Sequence, residues 1–108
     1  MVGKIEVIFS KNVIFYLDEL VYVLYKNEYF GFIETAEEYV SAIYDNVSEI
    51  ILMNNHNQTP KSLQHFGKFY IFYKSNERTT WFVFFEKSND RILVKRIINN
   101  HSEEANLI

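Results

Sequence analysis

The chain has no cysteine, a single proline and only three glycines among 108 residues. Without cysteine it has neither a disulfide framework nor a thiolate metal site, so its stability must come from packing. Its three histidines, His56, His65 and His101, lie too far apart to make a local ligand motif. No metal or other cofactor is therefore expected. No apolar run approaches the ~20 residues needed to cross a bilayer. The opening stretch, residues 1–12 (MVGKIEVIFSKN), is too short and too strand-like for a signal peptide. The expectation is a soluble, cytoplasmic protein without membrane association. Also missing are a glycine-rich phosphate loop, a zinc-finger spacing, an ordered Ser/His/Asp set, internal repeats and low-complexity tracts.

What the chain has in quantity is apolar and aromatic surface: 48% hydrophobic residues, with ten Phe and eight Tyr. That share in a chain of this length fits one compact domain spanning residues 1–108. The net charge of −3 is unevenly spread. Residues 1–50 hold three cations and nine anions, a net of −6, while residues 51–108 hold eight cations and five anions, a net of +3. A basic half in an acidic chain can present a local positive field to an anionic partner, because exposed charges are screened over only about 10 Å at ordinary salt.

Periodicity divides the chain into elements. Residues 4–10 alternate, with Ile5, Val7 and Phe9 on one side and Lys4, Glu6 and Ile8 on the other, the pattern of a half-buried strand. Ser10 then offers an N-cap to a first helix, whose apolar stripe is Val13, Leu17, Leu20, Val21 and Leu24. After an interruption at Gly31, Ala36, Tyr39, Val40, Ile43, Tyr44, Val47, Ile50 and Ile51 recur every three or four residues and predict a second helix over 35–53. Thr35 with Glu38 matches a capping box at its start. Residues 54–68 read as a polar loop. Three runs rich in aromatic and β-branched residues follow, 69–74, 78–87 and 91–98, separated by SNE and SND turns. The order is β-α-α-β-β-β. It predicts an α+β domain of two layers, in which a mainly antiparallel sheet carries the helix pair on one face. Trp81, Phe82, Phe84 and Phe85 are expected in its core, in preference to serving as base-stacking platforms.

The chemistry-bearing residues cluster near the end of the last strand. Regular alternation would put Ile92, Val94, Arg96 and Ile98 on one face and Arg91, Leu93, Lys95 and Ile97 on the other, so Lys95 and Arg96 diverge. Arg91 with Lys95, near Arg78 at the start of the adjacent strand, could form a positive stripe suited to phosphate. The competing reading is that these cations protect an apolar sheet from edge-to-edge association. His101 follows the strand end, where an imidazole could take or give a proton at neutral pH. His56 and His65 fall in the polar loop and need no role beyond solvation.

With that element order, the tail RTTWFVFFEKSNDRILVKRIINNHSEEANLI resembles the C-terminal half of the RelE/ParE superfamily of type II toxin-antitoxin toxins, in particular its plasmid-stabilisation-like branch with an RTTW strand and an NNH ending. The resemblance implies the RelE/ParE fold. It also implies a toxin, either a ribosome-dependent mRNA endoribonuclease or a non-enzymatic member that inhibits DNA gyrase or only binds its antitoxin. In the endoribonuclease branch, Arg78 matches a sheet arginine, Lys95 or Arg96 a last-strand arginine, and His101 the post-strand residue. His101, Arg78 and Arg96 would then be catalytic, with Lys95, Arg91, Lys68 and Lys61 holding phosphate or RNA. Attack of a 2′-hydroxyl on its neighbouring phosphate needs a proton acceptor, a cationic clamp and a donor to the leaving oxygen. The resemblance further implies a cognate antitoxin, for which Tyr16, Tyr25, Phe30 and Phe32 are candidate contacts. Against the endoribonuclease stand the acidic overall charge and the lack of a dense lysine cluster before the second strand.

Overall fold

The computed structural model describes residues 5–26, 33–53 and 56–108. Its elements are β1 (Glu6–Phe9), α1 (Lys11–Lys26), α2 (Ile33–Leu52), β2 (Asn57–Gln58), β3 (Phe69–Lys74), β4 (Thr80–Ser88) and β5 (Arg91–Asn99). Two 3₁₀ segments, η1 (Lys61–Phe66) and η2 (Glu103–Leu107), complete it. The strands form one sheet in the order β1-β5-β4-β3-β2. Tight turns make β3, β4 and β5 an antiparallel meander, and β1 joins β5 in parallel, from Glu6 opposite Arg91 to Phe9 opposite Val94. This is an α+β domain with a mostly antiparallel sheet and helices packed on it, as the periodicity predicts.

The helices bury the stripes read from sequence. Val13 and Leu17 of α1 meet Val40, Ile43, Val47 and Ile51 of α2 over Ile71, Trp81, Val83, Phe85, Ile92, Val94 and Ile97 of the sheet. Ser10 caps α1, its Oγ accepting the Val13 N–H at 3.3 Å. The capping box does not form: α2 already runs from Ile33, so Thr35 stands inside the helix and cannot be its cap. Polar groups under the helices are paired. The Trp81 indole N–H donates to the Tyr39 hydroxyl at 3.2 Å, and that hydroxyl lies 2.8 Å from Ser75 Oγ.

The structure overturns two further expectations. The segment read as a polar loop folds into β2 and η1, and η1 lies over the other face of the sheet. There Leu63 and Phe66 pack with Phe84, Ile98, Tyr70 and Phe82 in a second small core. Leu63 and Phe66 are three residues apart, the period of a 3₁₀ turn, so one side of this short helix is apolar despite its polar composition. Of the four aromatics expected in the core, Trp81, Phe84 and Phe85 are fully buried and Phe82 is half-buried.

The second correction lies in β5. Phe84 pairs with Arg96 and Phe85 with Val94, leaving Lys95 as an extra, unpaired residue. This is a β-bulge, and it resets the alternation. Ile92, Val94 and Ile97 all reach the helix-side core, while Ile98 joins the core under η1. Regular alternation would have put Arg96 on the face of Ile92 and Val94, beneath the helices, where burying its charge without a partner is unfavourable. The extra residue keeps both apolar positions inside and the guanidinium out.

Candidate functional site

β1 is short. It pairs with β5 only as far as Phe9 opposite Val94, and the chain then turns into α1. Beyond that point the edge of β5 faces the first turns of α1 across a gap, which the residues after Asn99 close at one end. The result is a groove of about 630 Å³ lined by Asn12, Val13, Phe15, Tyr16 and Glu19 of α1, by residues 95–99 of β5, and by His101, Ser102 and Glu104. Its walls are largely apolar, with charged groups set among them.

Lys95 and Arg96 both line this groove. Their expected divergence holds for a regular strand, and the bulge at Lys95 removes it. The Arg96 guanidinium also rests on the Phe66 ring, 4.7 Å from its centroid, a cation–π contact that leaves its N–H donors free. Tyr16 faces the same space. Burial raises its hydroxyl pKa above the ordinary value, and the nearby Arg96 charge works in the opposite direction. Its ring stands edge-on to Trp81 at 6.3 Å between centroids.

His101 is placed by the two asparagines before it. The Asn99 side-chain oxygen accepts the His101 backbone N–H at 2.9 Å, and the Asn99 carbonyl accepts Ser102 Oγ at 2.8 Å, a tight polar turn at the strand end. Asn100 acts across the sheet. Its side-chain oxygen accepts the Thr80 N–H at 2.9 Å, and its amide donates to the Arg78 carbonyl at 3.1 Å. Asn100 thereby ties the turn that carries Arg78 to the end of β5, next to His101.

The structure therefore brings Lys95, Arg96 and His101 to one groove. Arg78 is not in its wall: it precedes β4 in a turn where Asn76 Oδ1 accepts its N–H at 2.9 Å. Arg91 stands at the far end of β5, opposite Ser88 and Glu6, on the same exposed face as Lys95 but outside the groove. Lys61 opens η1 and Lys68 precedes β3, both exposed and both outside the groove. Tyr16 and Tyr25 are surface residues at 38% and 44% exposure, while Phe30 and Phe32 lie outside the described residues.

Sequence reasoning passed over Phe66, Glu19 and Glu104. Phe66 was signalled only by its spacing from Leu63, and the two glutamates become neighbours of Lys95 and Arg96 only through the fold. His56 also departs from the solvated reading. Its ring stands edge-on to Phe69 at 4.9 Å and to Phe85 at 5.8 Å, and desolvation, followed by the charge of Lys87, lowers its pKa. Among the described residues no group of three His, Asp or Glu side chains could hold a metal ion, and no helix is long and apolar enough to cross a membrane. Comparison with protein-family models, with curated proteins and with solved structures finds no match to this chain.

Proposed function

We propose that the chain is a RelE/ParE-type toxin of a type II toxin-antitoxin pair, and that the groove beside β5 is its site for a phosphodiester of RNA. The observation that carries this reading is the meeting of Lys95, Arg96 and His101 in one groove, made possible by the bulge. Two cations beside an imidazole supply the elements that 2′-hydroxyl attack on phosphate demands: a clamp for the developing negative charge and a group that moves a proton. Arg96 would bind phosphate oxygens through N–H groups not engaged by Phe66, with Lys95 adding a point charge. Arg78, tethered beside the site by Asn100, would reach it from the neighbouring turn. The helix pair between β1 and the antiparallel meander β3–β5, and the pairing of β1 with the final strand, support the fold assignment.

The same groove supports a protein partner. Phe15 and Tyr16 give it an exposed apolar wall on which an antitoxin segment could bury side chains. Expression in bacterial cells without a partner tests the proposal. Growth should stop with protein synthesis failing first, and His101→Ala or Arg96→Ala should restore growth at equal protein level. If DNA supercoiling fails first, the chain is a gyrase-directed toxin. If both variants arrest growth as fully as the parent, the endoribonuclease reading is wrong.

A further inference from the structure

Two carboxylates stand in the wall of the cationic groove. Glu19 comes from α1 and Glu104 from η2, and they line the same space as Lys95 and Arg96. Neither carboxylate forms an ion pair with those cations: Arg96 rests on Phe66, and the described residues offer Lys95 no carboxylate at ion-pair distance. A structural role for Glu104 would call for such a bond. Its negative charge instead lies in the groove as a free field beside free cations, weakening the attraction they exert on any anion that enters.

The segment that carries Glu104 is weakly anchored. η2 has no buried residue, and its N-cap Ser102 makes no capping bond to it. The backbone bonds at its two ends, Ala105 N–H to Ser102 O and Ile108 N–H to Ala105 O, are both 3.3 Å long. Leu107 and Ile108 leave 53% and 38% of their surface in solvent. A segment with so little apolar burial opens at small cost in free energy, unlike the sheet beside it. Glu103 provides an internal comparison: it neighbours Glu104 and carries the same charge but is exposed outside the groove.

From this we infer that η2 is an acidic strap that regulates the groove: in place, Glu104 competes with a polyanionic ligand for Lys95 and Arg96, and the ligand binds more tightly once the strap is neutralised or displaced. This rests on the proposed reading of the groove as a phosphodiester site and assigns its control to the C-terminal segment.

The test uses the full chain and a short fluorescein-labelled single-stranded oligouridylate, with binding followed by anisotropy at low salt. Glu104→Gln should tighten binding about threefold, within the range expected for one partly exposed charge interaction. Glu103→Gln should change it by less than half as much, and raising the salt to 1 M should abolish the difference, because the Debye length falls to about 3 Å. Lys95→Ala and Arg96→Ala examine the underlying reading separately. If they leave the parent's binding unchanged, or if no protein binds, the groove is not a phosphodiester site and the strap falls with it. If they weaken binding while Glu104→Gln and Glu103→Gln behave alike, the groove stands and the strap is refuted. Thermal melting of each variant confirms that the change is in the groove and not in the fold.

Discussion

Replacing Gly67 with alanine should be among the most damaging changes in the chain that leaves hydrophobicity and charge untouched. Gly67 ends η1 at φ +153°, a conformation that side-chain-bearing residues rarely adopt. A Cβ there would lie 2.7 Å from the Phe85 nitrogen, 3.0 Å from its oxygen and 3.1 Å from the Phe84 carbonyl carbon. These are backbone atoms of the central strand, so no rotamer change relieves the contact. The backbone conformation costs roughly 1–3 kcal/mol for a non-glycine residue. Overpacking against atoms that cannot yield adds roughly 1–3 kcal/mol. The sum, about 2–6 kcal/mol, is a large part of the roughly 5–15 kcal/mol that stabilises a domain of this size. At about 4–8 °C per kcal/mol, Gly67→Ala should lower the melting temperature by about 10 °C or more. Circular dichroism on heating measures it, with Ser62→Ala, an exposed change on the same short helix, expected to stay within about 0.5 kcal/mol of the parent. The damage should be felt at the groove as well, because the chain's path at Gly67 holds η1 and Phe66 over the sheet, and Phe66 supports Arg96. Melting of Gly67→Ala within about 2 °C of the parent would refute the claim that η1 is locked against the β4 backbone.

Deleting Lys95 should leave the protein folded with all its other β5 residues on their present faces, because Val94 and Arg96 already face adjacent residues of β4. Hydrogen exchange should show intact protection of β4 and β5, and oligouridylate binding should weaken by the loss of one cation and of the local twist; a molten or unfolded product would show that the bulge has another purpose. His56 should make stability depend on pH. Its folded-state pKa lies below the ordinary value of 6.5, so the unfolded chain binds the proton more readily. Stability from this group is therefore fully present above pH 6.5 and lost as pH falls from there through the depressed folded value. Urea midpoints from pH 7.5 down to 5 should fall more steeply for the parent than for His56→Phe, and equal slopes would show that the ring contacts with Phe69 and Phe85 do not govern its titration.

The helices and long strands were legible because their burial follows a simple period. Every residue of the α2 stripe from Ala36 to Ile51 is buried or half-buried, and β3 spans the residues its aromatic run marks. The candidate site was legible in part of its residue types and hidden in its geometry. LVKRII contains the relevant conflict. Val94 and Ile97 are both apolar but three apart, so a regular strand would bury one and expose the other. It would also send the two adjacent cations to opposite faces. Two apolar residues seeking the same core across two charged ones can be satisfied by one extra residue in the strand, and the bulge is that solution. Long-range placements had no such local trace. That Asn100 would pair with the turn before β4, that Phe66 would lie under Arg96, and that Glu104 would enter the groove depend on segments more than twenty residues apart, or on the direction the chain takes after the sheet ends. The lesson for the tip NNH is concrete. Its asparagines are not merely strand terminators: one fixes the backbone of His101, and the other binds the Arg78 turn to the same strand end. A conservative change at either should therefore disturb the groove more than the stability, because each bond orients an exposed segment and buries little.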